Sequence, residues 1–297
     1  MDVIERVNSL DGGCKYLLSA GGREKTVEAT YFYHGESRLP YLCISSQFGC
    51  AVGCLFCETG RQKSLGNLDA SQIVRQVEVC SSELMKEGSP RLDTVLFAGM
   101  GEPMLNLTHV RKASLDLKAR GMANRVTLTT AGILSRFDEL YDIPLDTLSI
   151  SLHATTDEIR KKLMPGVARY RIEDLMEHAA SYRQRTGVRV ILNYILLKNI
   201  NDRDEDLKRL AEIIPSGIFS IKLKRLNDVS PVAGLFLSTS DEFGKFFSHL
   251  TDAGFDCIVD IGKGTDVLGG CGQLRSRFRT LRTMVASVSV RSSRQKN

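Results

Sequence analysis

Tyr41–Arg61 reads YLCISSQFGCAVGCLFCETGR, and Cys50, Cys54 and Cys57 within it make a C-x3-C-x2-C spacing. Three thiols this close on a loop suit an inorganic centre, because soft thiolates select zinc or iron–sulfur clusters. A structural zinc site takes four protein ligands, commonly two C-x2-C pairs or cysteines with histidine. Here the local count is three, and no His lies between Cys43 and His109. A cubane cluster held by three cysteines keeps one iron open for a substrate or cofactor. The spacing alone leaves a zinc site completed by Cys43 or a distant Cys as the alternative.

The surrounding chain alternates between two periodicities. Apolar strand patterns fall at 41–45, 94–100, 125–130, 147–153, 188–197 and 219–226, with helical patterns between them at 69–87, 106–120, 133–141, 155–163, 171–186 and 203–214. Six strand–helix units predict a parallel sheet with right-handed crossovers. Before them, CKYLLSA and KTVEATYF flank Gly21-Gly22, a hairpin signal. After them come a helix at 240–253, a short strand FDCIVDIG, a Gly-rich loop and a last helix near 276–286. The expected fold class is α/β: a partial (β/α)6 barrel with an N-terminal β-hairpin extension and a C-terminal loop plus helix. The expected divisions are a strand region 1–40, the barrel 41–230, an extension 231–286 and a disordered basic tail 287–297.

In β/α barrels the active site lies at the C-terminal strand ends. Polar and Gly-rich residues gather there: the cysteine loop, Gly99-Met100-Gly101-Glu102-Pro103, Thr129-Thr130-Ala131-Gly132, Ser151-Leu152-His153 and Asn227-Asp228. Each has a plainer structural reading. The glycines at 99 and 101 suit a strand-to-helix turn, Pro103 a helix start, His153 a packed histidine and Asn227 a turn.

Composition narrows the setting. The 297 residues are 42% hydrophobic with eight cysteines and no Trp. No apolar run reaches the roughly 18 residues of a membrane span. The opening MDVIERVNSLDGG is charged early and lacks a signal-peptide core. Clustered cysteines point to a reducing compartment, so a cytoplasmic protein is expected. The net charge of +5 is uneven: Arg275, Arg277, Arg279, Arg282, Arg291, Arg294 and Lys296 follow residue 274 without one acid. Such an end suits a polyanion such as RNA, or a solvated tail.

A second stretch, Gly264–Leu274 (GTDVLGGCGQL), sets Cys271 among glycines, which suits a thiol that swings into a site. With CISSQFGCAVGCLFCETG, GMGEPMLN, TLTTAG, SISLHA, CGQL and the segments DGGCKYLL and VEATYF, the chain resembles the RlmN/Cfr-type radical S-adenosylmethionine (SAM) adenine methyltransferases, the class A radical SAM methylases, from about residue 10 to 285. The resemblance implies that Cys50, Cys54 and Cys57 ligate a [4Fe–4S] cluster. It implies that Gly101, Glu102, Thr129, Ser151, Leu152, His153 and Asn227 line the SAM site. Cys271 would be methylated by one SAM, and a second SAM would yield the radical that activates that methyl for addition to an sp2 carbon, C2 or C8 of an adenine. Cys43 would release product through a transient Cys43–Cys271 disulfide, with Glu28 as proton acceptor. RNA (23S rRNA or tRNA) would be the substrate, a flavodoxin-type protein the electron donor, and the monomer the working unit. Cys14, Cys80 and Cys257 match no role and read as packing residues.

Three departures stand out. The chain starts without the small domain that helps familiar members grip RNA, the run after the sixth strand reads KRLNDVSPVAG, and VDIGKGTD stands where an Arg-rich stretch is usual. Two other readings therefore stay open: the same radical methylation on a small metabolite or peptide, and a non-catalytic metal-containing RNA-binding protein. Paired Cys43 and Cys271 speak against the latter, since binding alone needs neither.

Overall fold

The computed structural model describes residues 1–22, 24–35, 38–226, 235–260, 266, 270–278 and 280. Ten strands form one sheet in simple chain order: β1 (Asp2–Asn8), β2 (Cys14–Ser19), β3 (Thr26–His34), β4 (Leu39–Ile44), β5 (Thr94–Phe97), β6 (Arg125–Thr130), β7 (Thr147–Ser151), β8 (Arg189–Leu196), β9 (Ser220–Arg225) and β10 (Asp256–Asp260). Pairing is antiparallel from β1 to β4 and parallel from β4 to β10. The six expected parallel strands are present, and β10 adds a seventh. The hairpin joins β2 to β3 as expected and continues into the barrel sheet through β3 and β4.

Side chains alternate across a sheet with period two, so the register sorts them. Leu42, Val95, Val126, Leu148, Val190 and Ile221 lie on one face, all fully or almost fully buried. Helices α1 (Ala70–Lys86), α2 (Leu107–Ala119), α4 (Ile172–Thr186) and α5 (Asp204–Ile213) add Val77, Val110, Leu175 and Leu210 to the same core. The opposite face carries Lys15, Glu28, Cys43, Thr127, Thr129, Ser149, Asn193 and Lys222. A sheet apolar on one side and polar on the other directs its chemistry inward, and its strand ends converge there.

Local chemistry explains the helix boundaries. Asp69 Oδ1 accepts the Gln72 amide at 2.8 Å while Gln72 returns its side-chain oxygen to the Asp69 amide, a reciprocal cap on α1. Gly187 adopts φ 70° at the end of α4. α3 (Asp157–Leu163) and α6 (Ser240–Asp252) start at Thr156 and Thr239, whose side chains accept the Ile159 and Glu242 amides.

Two expectations are corrected. The helix expected over 133–141 is a 3-10 segment, Leu134–Asp142. It runs into Ile143-Pro144, and a residue before proline is pushed into extended backbone; Ile143 sits at φ −104°, ψ 130°. Strand β1 was not expected at all. It is an edge strand with Glu5 and Arg6 mid-run and a register shift between Val3 and Glu5, and charged, bulged edges weaken the alternation that reveals a strand.

Candidate active site

The cysteine loop leaves β4 and is tied down on several sides. Phe48 exchanges backbone bonds with Gly66 and Leu65, the Leu55 amide donates to Leu163, and the Gly166 amide to Val52. Phe56 meets the His153 ring edge-on with centroids 4.9 Å apart. The Cys57 amide donates to the Cys54 carbonyl at 3.1 Å, a tight turn between the last two cysteines. Burial pushes the thiols up, Cys50 to about 12 with Glu102 and Cys57 adding to it, and Cys57 to about 11 with Cys271 adding to it.

Among the described residues, no three His, Cys, Asp or Glu side chains gather closely enough to hold a single metal ion. A cubane differs, because each thiolate binds a different iron, so the ligands are spread around it. Cys43 is also engaged elsewhere and does not complete a zinc site. The fit to a charged guest is marked by Arg160, 2% exposed on α3. Its Nη2 donates to the carbonyls of Ala131 at 2.6 Å and Ser151 at 3.3 Å, at the ends of β6 and β7. Its Nε and Nη1 are buried without a hydrogen-bond partner. Burial lowers its pKa, and the Cys54 thiol is close enough to oppose that electrostatically. Unpaired buried donors cost roughly 1–3 kcal/mol each. An anionic group bound over the loop offsets that cost, so the pocket fits a thiolate-ligated cluster with SAM.

The expected SAM residues surround this place. Gly101 has φ 103°, and a Cβ there would lie 2.6 Å from Gln47 Cβ; Gln47 Oε1 in turn accepts the Glu102 amide at 2.8 Å. The Glu102 carboxylate is 4% exposed and accepts from Met104 N, Ala131 N and Thr130 Oγ1. Burial still raises its pKa against those bonds. Thr129 lies on the polar face of β6 opposite Ser149, and Ser151 ends β7. Leu152 is fully buried, its amide bonded to Asn193 O. His153, at φ 57°, accepts the Ile195 amide through Nδ1 at 3.1 Å. Burial, with Lys224 and Arg160 nearby, lowers its pKa to about 3, so the ring is neutral and structural as well as adjacent to the site. Asn227 lies outside the described residues.

The remaining expected site residues meet across the sheet. Cys43 on β4 lies close enough to Cys271 for each thiol to shift the other, lowering the Cys271 pKa and raising that of Cys43. Cys271 is therefore the more acidic thiol, and Lys15 adds to this. Cys271 Sγ also sits 3.2 Å from the Ala98 carbonyl oxygen. Glu28 on β3 accepts the amides of Gly272 (2.8 Å) and Arg275 (2.7 Å) and pairs with Lys15 Nζ at 2.8 Å.

The glycines around Cys271 were expected to leave it loose. In fact Gly272, at φ 87°, permits close docking: a Cβ would lie 2.6 Å from Thr59 Oγ1 and 2.8 Å from Thr59 N. Arg275 was expected among the polyanion-facing cations and is fully buried instead. It donates to Thr26 Oγ1, Gln62 Oε1 and Glu24 O. Arg277 is exposed; Arg279, Arg282, Arg291, Arg294 and Lys296 lie outside the described residues. Sequence reasoning missed Arg160 and Lys15 as site residues. Neither has a motif of its own; only buried charge in the folded chain reveals them.

These features define a radical SAM enzyme. The radical SAM superfamily model matches residues 44–211. Two curated relatives are a probable dual-specificity RNA methyltransferase RlmN of Moorella thermoacetica, 36% identical over 93% of this chain and 80% of that protein, and a dual-specificity RNA methyltransferase RlmN of Phenylobacterium zucineum, 37% identical over 94% and 74%. A crystal structure of a radical SAM methyltransferase from Sphaerobacter thermophilus superposes with a TM-score of 0.83, at 28% identity, over 92% of this chain and 80% of that one. The chain belongs to the RlmN family of radical SAM methyltransferases. As such it uses a [4Fe–4S] cluster and SAM.

Proposed function

We propose that the protein methylates an adenine carbon, C2 or C8, of rRNA or tRNA by way of a methyl carried on Cys271. The observation that carries this reading is the Cys43–Cys271 contact beside the three-cysteine loop. RNA as substrate rests on the relatives named RNA methyltransferase RlmN.

Cys50, Cys54 and Cys57 hold the cluster, and the Glu102, Thr129, Ser151, Leu152, His153 and Asn227 region receives SAM with Gly101. When bound, the two together supply one-electron cleavage of a sulfonium bond; that chemistry is the cofactor's. The chain's part is thiol chemistry and placement. Cys271, the more acidic thiol, takes a methyl from SAM: its sulfur–carbon bond forms as the sulfonium–methyl bond breaks, and a thiolate is the competent nucleophile. After the carried carbon has joined the substrate, Cys43 attacks the Cys271 sulfur. The S–S bond forms as the sulfur–carbon bond breaks, the carbon leaves with the bonding pair and takes up a proton to complete the methyl group, and a thiol reductant restores both cysteines. Glu28 takes the proton lost from the substrate carbon. Three donors occupy it when Cys271 is docked, so that role requires the segment to move first.

The same reading divides the chain into a small strand region 1–40, the barrel 41–230, an extension 231–286 that carries the Cys271 loop, and a basic tail 287–297. It takes the monomer as the working unit and a flavodoxin-type protein as electron donor. All eight cysteines are free, as the reducing cytoplasm requires, and no helix among the described residues is long and apolar enough to cross a membrane.

Mass spectrometry tests the reading. Protein isolated from cells should carry a methyl on Cys271, and the Cys43→Ala variant should accumulate bound to its RNA through Cys271. Cells lacking the gene should lose a methyladenosine from rRNA or tRNA. Unmodified Cys271 together with normal turnover by the Cys43 variant would sink the mechanism; a small molecule or peptide in the adduct would replace RNA as the substrate.

A further inference from the structure

Lys15 on β2 is fully buried on the polar face of the sheet. Its Nζ donates to the Gly270 carbonyl at 2.6 Å, the residue before Cys271. The same ammonium lies 2.8 Å from Glu28 Oε2. Glu28 in turn accepts the Gly272 amide on Oε2 and the Arg275 amide on Oε1. Residues 273–278 are helical, so the carboxylate takes up amides at the start of that helix, where a negative charge is favoured. Lys15 and Glu28 thus grip the segment on both sides of Cys271, and Gln62 Nε2 adds a bond to the Gly272 carbonyl at 2.7 Å. The grip is placed where Cys271 meets Cys43.

A grip of this kind matters most when the carried carbon has to be released. A displacement at sulfur needs the incoming and the leaving atom in line, so Cys271 must be presented to Cys43 in one orientation. Glu28 Oε2 and Oε1 each accept one amide of the segment, and Lys15 Nζ lies 2.8 Å from Oε2, so a cation fixes the side chain that holds both amides. In the proposed mechanism the methylation of Cys271 needs only the SAM methyl and no attack by Cys43, so it asks for no such clamp.

We propose that Lys15 is a positioning residue for the resolving step: through Gly270 and Glu28 its ammonium docks the Cys271 segment so that Cys43 reaches the Cys271 sulfur. The inference rests on the methyl-carrying role of Cys271. It assigns Lys15 to release and leaves loading to the other residues.

Hydrogen exchange on the intact, cluster-loaded protein reads the docking without needing turnover. In Lys15→Met the 270–276 segment should exchange about tenfold faster, a local opening that leaves the strands of the barrel protected. Lys15→Arg, which keeps a buried cation, should restore most of the protection. In the same Lys15→Met preparation Cys271 should still carry its methyl, while the covalent RNA adduct builds up as it does in Cys43→Ala. A merely structural loss would reduce methyl loading as well and would not be rescued by arginine. Wild-type exchange over 270–276 in Lys15→Met, or release without adduct, overturns the proposal. If Lys15→Met does not fold, Lys15→Met/Glu28→Gln is compared with Glu28→Gln alone. The added loss of Lys15 must then speed exchange further, and equal rates overturn the proposal. A wild-type protein with unmethylated Cys271 would instead count against the proposed function and leave the exchange result standing.

Discussion

His153 and Arg160 show how single buried groups tie the fold to the site. The unfolded imidazole takes up a proton near 6.5, whereas the folded ring stays neutral down to about 3. Between those values the unfolded state binds more protons, so stability is present above 6.5 and drains as pH falls, by roughly 1.4 kcal/mol per pH unit. Melting curves from pH 7 to 4.5 should therefore show a steeper fall for the wild type than for His153→Gln, and equal slopes would count against a neutral, buried ring. Arg160 makes the opposite kind of expectation. Arg160→Met gives up two bonds to carbonyls but also two unpaired buried donors, so the metal-free chain should melt within about 1 kcal/mol of wild type. The extra stability conferred by cluster and SAM should shrink, because ligand binding stabilises only what it contacts. An unchanged gap between loaded and metal-free melting would remove Arg160 from the site.

At the scale of elements, the short helix after Cys271 carries two arginines with different tasks. Arg275→Met removes a guanidinium bonded to Thr26, Gln62 and Glu24. Denaturant melts should show a loss on the order of 3 kcal/mol. Arg277→Ala, on the exposed side, should leave stability alone and lower the slope of RNA affinity against salt by about one. Unchanged stability with a lowered salt slope in both variants would restore both arginines to the polyanion surface expected from composition. Composition could not tell them apart, because both stand in one basic run and only packing separates them. The same limit explains the other misses. The cysteine loop was legible because its ligands are neighbours in sequence. Lys15 was not, because Gly270 and Glu28 reach it only through tertiary structure. The helix expected at 133–141 was read from periodicity, which a following Ile143-Pro144 overruled.

For the molecule as a whole, the cluster loop is the connection from β4 to α1, and it adds only a few residues, Phe48 and Val52 among them, to a core built mainly by the sheet and its helices. Anaerobically purified protein should carry about four irons per chain, as a cubane requires. Cys54→Ala should lose them while keeping its circular dichroism, since the sheet and its helices pack mainly through Val, Leu and Ile side chains outside the cysteine loop. Collapse of the fold in that variant would show the loop to be a structural metal site instead. The strand order and the convergence of strand ends were readable from the alternation of periodicities. The continuity of the sheet from β1 to β10 was not, because antiparallel and parallel halves carry different signatures and nothing in either announces their junction at β4.

That continuity has a consequence for synthesis. The anchors for Cys271 lie at residues 15 and 28 and leave the ribosome before the segment they hold, which follows about 250 residues later. Throughout translation the nascent sheet carries an ammonium and a carboxylate with each other as partners but without the backbone groups they are destined to hold. Until that segment emerges, the growing chain lacks the thiol proposed to carry the methyl, so chains broken off before Gly270 should be unable to methylate even if loaded with iron.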